Sequence, residues 1–323
     1  MLFLHKKHCQ RIVIIKNAKI VFFSIFSLFN KMKKIIPILL FVQILFITGC
    51  VKEKQGSGVL SLLTYNVAGL PEGLSGSHPL TYTSHIAPLL NEYDIVNVQE
   101  DFCYHDSLLR YVDYPYITPS TGCVPGGDGV NTFSRFPFSN LYREAWLNCT
   151  STDCLTPKGF SYVQVTVSPG VTVDLYNVHA NSGSSDIAKE ARRYNLIQLQ
   201  EYIKKHSSEN AVIVMGDFNS RYTRVGDTVE TMLGLGFKDV WLDLIRKGSI
   251  PEKGNSLSAC DPDRNAFDCE KIDKVFYRSS DKVLFTPLSY QLDDSRYYYQ
   301  NNDTLPLSDH WPLNAKLIYT VLK

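Results

Sequence analysis

Acidic residues are missing from the first 49 positions, which hold eight Lys and Arg and no Asp or Glu. An ordinary solvated N-terminal segment would mix both signs, so this stretch reads as a leader apart from the working domain. A long apolar run is also missing. Ile35 to Ile47 is broken by Pro37 and Gln43 and is too short for a comfortable membrane span. Beyond the leader and the short tether there is no Lys/Arg cluster, which weighs against a tight non-specific binder of nucleic acid backbone and leaves a weak nuclease open. There is no Cys-x-x-Cys with a His companion, which disfavours a zinc site. No Gly-x-Ser-x-Gly elbow occurs, which disfavours Ser-His-Asp acyl transfer. Neither an internal repeat nor a clear second domain is visible.

What is present fits one large exported domain. Residues 50–323 carry 25 of the 33 Lys and Arg against all 32 Asp and Glu, so the whole-chain charge of +1 conceals a mature charge near −7. Six cysteines follow position 50, an even number that points to disulfides in an oxidising compartment. Local spacing favours Cys149–Cys154 and Cys260–Cys269, leaving Cys103–Cys123. Apolar runs rich in β-branched residues predict strands at 59–67, 94–98, 130–134, 161–167, 172–178, 211–215, 271–277, 283–287 and 311–321. Helical spacing predicts 79–93, with Pro88 as a possible break, then 107–112, 184–205 and a surface helix at 228–233. In the longest helix Ile187, Ala191, Tyr194, Leu196, Ile197 and Leu199 are the expected apolar positions, with Ser185 or Asp186 as cap. In the short one Asp227 is the expected cap and Gly234 the stop. Strands outnumber helices, so the expectation is an α/β sandwich: two β-sheets face to face, with helices outside.

Chemistry-bearing residues recur where strands end. Ala211 to Ser220, AVIVMGDFNS, is the clearest case. A buried strand breaks at Gly216, and Asp217 and Asn219 then lie two apart, on one side of an extended exit. Asn66, Glu100, His179 with Asn181, Asp273, and Asp309-His310 occupy matching places. Each alone is ordinary, a turn cap or a core histidine. Six such places in one chain imply one site, with oxygen ligands suited to a hard cation.

The series YNVAGLP, NVQED, GDGVNTFSRFP, KGF, NVHAN, GDFNS, IDKVFYR and LSDHWPL resembles the endonuclease/exonuclease/phosphatase superfamily in its order, over about residues 59–321. The superfamily includes deoxyribonuclease I, neutral sphingomyelinases and inositol polyphosphate 5-phosphatases. The resemblance implies a four-layered α/β/β/α sandwich of two mixed sheets and a hydrolase of phosphate esters that uses Mg²⁺ or Mn²⁺. It implies metal binding by Glu100, Asn66 and Asp309, and catalysis by His310 oriented by Asp273, with His179, Asp217 and Asn219 at the phosphate. Lys158 and Asn181 are the implied substrate-binding residues. The motif Pro157-Lys158-Gly159-Phe160 behind Cys149 and Cys154 is similar to that of secreted bacterial sphingomyelinases. Tyr290 and Tyr297 to Tyr299, with Trp311, are candidates for an exposed lipid-facing surface, or for packing on a sheet edge.

Ile47-Thr48-Gly49-Cys50 resembles a bacterial lipobox, which implies cleavage before Cys50 and a lipid on its thiol. Met32, followed by Lys33-Lys34, is a plausible true start. The expected organisation is a leader at 1–49, lipid attachment and tether at 50–58, and a catalytic domain at 59–323. The expected protein is a monomeric, membrane-anchored lipoprotein outside the cytosol. It acts on a phosphodiester, foremost a phospholipid, and has no stable nucleic-acid partner. An exported nuclease and a phosphomonoester phosphatase are the alternatives.

Overall fold

A computed structural model describes residues 56–255, 269–292, 296–299 and 305–322. The leader, Cys50 and Cys260 lie outside the described residues. Lys52–Lys323 forms one compact unit. Its first sheet has the order β11 (Val283–Leu292), β12 (Leu313–Val321), β1 (Ser57–Asn66), β2 (Ile95–Gln99), β4 (Asn131–Ser134), β3 (Tyr116–Ile117). The second has the order β5 (Phe138–Ala145), β6 (Gly159–Ser168), β7 (Val171–His179), β8 (Val212–Asp217), β10 (Asp273–Arg278), β9 (Lys238–Asp239).

Alternation along the strands builds the layers. In β1, Leu60 and Leu62 face the second sheet, while Leu63 and Tyr65 face α1 (Pro79–Leu90), where Ile86 and Leu90 pack on them. A short helix α2 (His105–Leu109) follows β2 near the helix expected at 107–112, and the second sheet's outer face is covered by α3 (Asp186–His206) through Leu196, Leu199 and Ile203. Two packed mixed sheets with helices outside are the expected sandwich. Between the sheets, Asn97 donates to the carbonyls of Tyr176 and Met215, and Gln99 donates to Asn177 Oδ1 at 2.7 Å. Buried amides with partners on both sheets fix the sheets against sliding.

Topology gathers the site. The pairs β1–β2 and β7–β8 are parallel, joined by crossovers carrying α1 and α3. Their C-terminal ends deliver Asn66, Glu100, His179 and Asp217 to one edge. Strand β10 runs antiparallel to β8 and starts with Asp273 opposite Asp217, and β12 starts just after His310. Antiparallel strands that begin where parallel strands end bring both sets together.

Several expectations are corrected. Gly216 does not break β8; the strand continues through Asp217. A Cβ on Gly216 would lie 2.0 Å from the Val178 carbonyl oxygen, so the glycine permits close approach to β7. Replacing Gly216 with Ala should force β7 and β8 apart, costing about 3 kcal/mol and lowering Tm by roughly 5–10 °C in a calorimetric scan. An unchanged Tm would show that the strands can separate freely.

On α3, Ile187, Tyr194 and Ile197 are exposed, and the buried face instead includes Arg192 and Asn195. Arg192 pairs with Asp227 at 2.6 Å, so Asp227 anchors this helix rather than capping the next element. Ser185 is the α3 cap. The expected helix at 228–233 is a 3-10 helix, Val229–Leu235, with Thr228 at its N-terminal boundary and Gly236 closing it in a left-handed conformation. Pro88 sits in the last turn of α1 and ends rather than breaks it. Edge strand β5 forms between the expected strands at 130–134 and 161–167, in a stretch where no element is expected. Cys103–Cys123 and Cys149–Cys154 are bonded, and Cys269 is in a disulfide. Tyr290 and Tyr297 are buried and half-buried Tyr299 packs on Tyr82 at 5.0 Å, which fits packing on the sheet, while half-buried Tyr298 lies 6.0 Å from the ring of Trp311.

Candidate active site

Asp217 is the hub. Its Oδ2 accepts from Asn66 Nδ2 at 3.3 Å and Asn219 Nδ2 at 3.1 Å. The Nε2 atoms of both His179 and His310 lie 3.6 Å from the same oxygen. Its Oδ1 accepts the Asn219 backbone N–H at 2.8 Å, an Asx turn that fixes the strand exit. Burial raises the carboxyl of Asp217 to about 6, with the charge of His310 opposing and that of Asp273 adding to the rise.

His310 lies at the mouth with its side chain 14% exposed. Its Nδ1 is 3.2 Å from both oxygens of Asp273, which sets the ring's orientation and leaves Nε2 toward Asp217. Burial disfavours its charged form, but Asp273, Asp217 and Asp309 outweigh that and raise it to about 10. His179 is the opposite case. It is fully buried, and burial, Lys158 and His310 hold it well below its ordinary value, so the ring is neutral. Neither of its ring nitrogens has a hydrogen-bond partner among the described residues. A buried imidazole without partners, aimed between two carboxylates, is costly unless a ligand completes it.

Glu100 sits across from Asp217, its side chain 17% exposed, with Oε1 3.1 Å from Asn66 Nδ2 and 3.8 Å from His179 Nε2. Ala68, Glu100 and Asn219 all have left-handed backbone, at φ 49°, 56° and 49°. Three such residues at the strand ends of one site mark a backbone held in place by its surroundings. The Asn66 amide oxygen accepts from Ala68 N, so its nitrogen faces Glu100. As placed, Asn66 donates to the Glu100 carboxylate and orients it, and its amide oxygen is taken by Ala68 N rather than turned toward a cation. The donor chemistry fits a hard divalent cation at Glu100: an accessible carboxylate beside the unsatisfied His179 ring. Asp217, Asp273 and His310 form a second group whose ligand atoms lie within 4.8 Å of one another. Because Asp273 is already bonded to His310, Glu100 is the better place for a cation.

Other expected residues separate. Asp309 is exposed on the His310 flank, in a pocket without Glu100. Asn181 is not free for substrate: its amide accepts from Thr150 N and donates to Thr150 Oγ1 and the Ser182 carbonyl. It clamps the Cys149–Cys154 loop. Lys158 is in the site, lining a cavity of about 300 Å³ with Glu100 and the apolar Leu70, Leu74, Phe102, Val124 and Leu155. The sequence reading missed Asp153, whose Oδ1 pairs with Lys158 at 2.6 Å and whose Oδ2 accepts Ser182 N at 2.5 Å. Its five-residue spacing from Lys158, inside the Cys loop, was the only signal.

A carboxylate-held imidazole, a buried neutral imidazole, two opposed carboxylates and orienting amides at one edge of an α/β/β/α sandwich define a hydrolase-like site of the deoxyribonuclease I-like class. Residues 143–316 match Endonuclease/Exonuclease/phosphatase family 2. The chain belongs to this family. It is 38% identical over 269 residues to a sphingomyelinase of Mycobacterium tuberculosis, across 79% of this chain and 52% of that protein. It thus spans about half the length of the curated relatives it matches. Among solved structures, a mutant beta toxin from Staphylococcus aureus with bound magnesium ions is 19% identical, with a TM-score of 0.56 over 80% of this chain and 99% of the toxin. D. rerio TDP2 complexed with a single-strand DNA product is 18% identical, with a TM-score of 0.59 over 80% of this chain and 99% of that one.

Proposed function

We propose that the protein is an exported, lipid-anchored, divalent-metal-dependent phosphodiesterase that cleaves a phospholipid, with sphingomyelin as the leading substrate. The observation that carries this is a cluster in which His179 and His310 converge on Asp217 and His179 also approaches Glu100, which lines an apolar cavity. The 38% identity to sphingomyelinases supports the choice of substrate. Export and the lipid on Cys50 rest on the sequence of residues 32–50.

His310 Nε2 takes the proton of an attacking water while Asp273 holds the ring and stabilises the imidazolium. The water oxygen bonds to phosphorus as the bond from phosphorus to the lipid alcohol breaks. Asp217 aims the water. His179, neutral and buried, has a ring N–H available for a phosphoryl oxygen. Lys158, steered by Asp153, places a cation beside the leaving oxygen, which takes a proton from solvent water as it departs as the alcohol. Mg²⁺ or Mn²⁺ held by Glu100 would neutralise the diester and oppose the charge on His310, returning that ring toward the neutral form a base needs.

The purified protein should release phosphocholine from sphingomyelin with Mg²⁺ and stop in EDTA. Rapid degradation of plasmid DNA with no action on choline phospholipids would replace this reading with a nuclease.

A further inference from the structure

The ring of His179 is not aimed by bonds of its own. Both of its nitrogens lack a hydrogen-bond partner among the described residues, and Asp217 Oδ2 and Glu100 Oε1 stand 3.6 and 3.8 Å from its Nε2. A ring that bonds nothing keeps its place through packing and through the backbone that carries it. On one side that backbone is tied to β8. His179 stands opposite Asp217, and Ala180 N donates to the Asp217 carbonyl at 2.9 Å. On the other side the pairing with β6 ends one residue earlier, at Phe160 opposite Val178. Beyond that point the His179 carbonyl accepts from a side chain, the indole N–H of Trp146, at 2.6 Å. The planar peptide that joins His179 to Ala180 is therefore held at both ends, its N–H by Asp217 and its carbonyl by Trp146.

Trp146 is itself held firmly. Strand β5 pairs with β6 as far as Ala145 opposite Gly159, and the backbone N–H of Trp146 extends this pairing to the Lys158 carbonyl at 2.9 Å. From α3, Gln198 donates to the Ala145 carbonyl at 2.9 Å and accepts the N–H of Leu147 at 3.0 Å, which clamps the chain before and after Trp146. The indole packs on Phe160 with ring centres 5.5 Å apart. One half-buried residue thus bonds the backbones of two site residues, Lys158 through its own N–H and His179 through its indole.

We propose that Trp146 is a positioning residue whose indole N–H sets where the His179 ring meets the phosphoryl oxygen. In the phosphodiesterase reading on which this rests, His179 faces the phosphate. Without the indole donor the His179 carbonyl loses a partner, and the strand exit that carries the ring is released on the β6 side. A small displacement of a group that acts in the transition state lowers kcat more than it lowers binding. The bond to Lys158 is a main-chain bond and survives replacement of the side chain.

Trp146→Phe keeps a ring against Phe160 and removes the donor. With Mg²⁺, its kcat on sphingomyelin should fall about tenfold while KM stays within about twofold. In a His179→Gln background the same substitution should cost less than about twofold more, because its effect passes through His179. An equal loss in both backgrounds, no loss in the first, or a change in KM alone overturns the proposal. Should Trp146→Phe not fold, Trp146→Leu carries the same comparison. If sphingomyelin is not cleaved, the lipid reading fails, and bis(4-nitrophenyl) phosphate takes its place in the comparison. If the wild type cleaves neither diester, the phosphodiesterase reading fails. There, and wherever His179→Gln turns over too slowly to compare, NMR decides the positioning. The His179 Cε1–H signal, identified by its loss in His179→Gln, should move in Trp146→Phe, and an unmoved signal overturns the proposal.

Discussion

Replacing His310 with Ala should lower turnover by about 10²–10⁴-fold while leaving the fold intact. The ring is at the mouth of the site; among the described residues it bonds Asp273 alone, at 3.2 Å to each oxygen, while the His310 backbone N–H donates to Ser308 Oγ at 3.2 Å. Removing it therefore opens no core cavity. The same geometry sets a pH signature. The folded protein holds His310 at about 10, above its unfolded value. A raised pKa contributes stability that is fully present below about 6.5 and is lost as pH climbs toward 10. In EDTA, the stability advantage of the wild type over His310→Ala should thus shrink between pH 7 and pH 10, read as the difference in urea midpoints. Near-wild-type turnover in the variant would remove His310 from the role of base. An advantage that does not change with pH would show that Asp273 and Asp217 do not hold the ring charged.

Much of this site was legible because its residues stand at strand ends, where apolar β-branched runs stop and polar residues begin. Asp217, His179 and Asn66 close β8, β7 and β1 in that way, and the order of the motifs implied the sandwich. What was not legible depends on partners distant in sequence. Asn181 and Asn219 look alike in the chain, each two residues beyond a strand-ending His or Asp. Only the fold shows that Thr150 consumes the amide of Asn181 while Asn219 braces Asp217. Asp153 gained its role when the Cys149–Cys154 loop folded back on Lys158. Strand β5 escaped notice because Phe138–Ala145 is an exposed edge without an apolar alternation. Ile187, Tyr194 and Ile197 misled for the converse reason. The buried face of α3 uses Arg192 and Asn195, whose polar ends are satisfied by Asp227 and the Asn148 carbonyl.

Replacing Glu100 with Gln should abolish the response to metal and most of the activity. The substitution keeps the shape and an oxygen for the Asn66 amide to bond, so the left-handed turn at φ 56° can persist. It removes the charge that a hard cation requires. For the wild type, a cation at about 100 times its Kd adds roughly 2.7 kcal/mol of stability. In a domain of this size that is a Tm rise of about 5–10 °C, readable without any substrate. Glu100→Gln should show no rise with Mg²⁺ or Mn²⁺, and activity should fall by at least about 10²-fold, since charge neutralisation at phosphorus is worth several kcal/mol. The competing place is the Asp217, Asp273 and His310 group. A cation held there would have to displace the contact of His310 with Asp273, and it would lose its Tm rise in Asp217→Asn but keep it in Glu100→Gln. The two variants therefore give opposite patterns. A rise that survives in Glu100→Gln moves the metal to the Asp217 side and turns Glu100 into a partner for Asn66 and His179 alone.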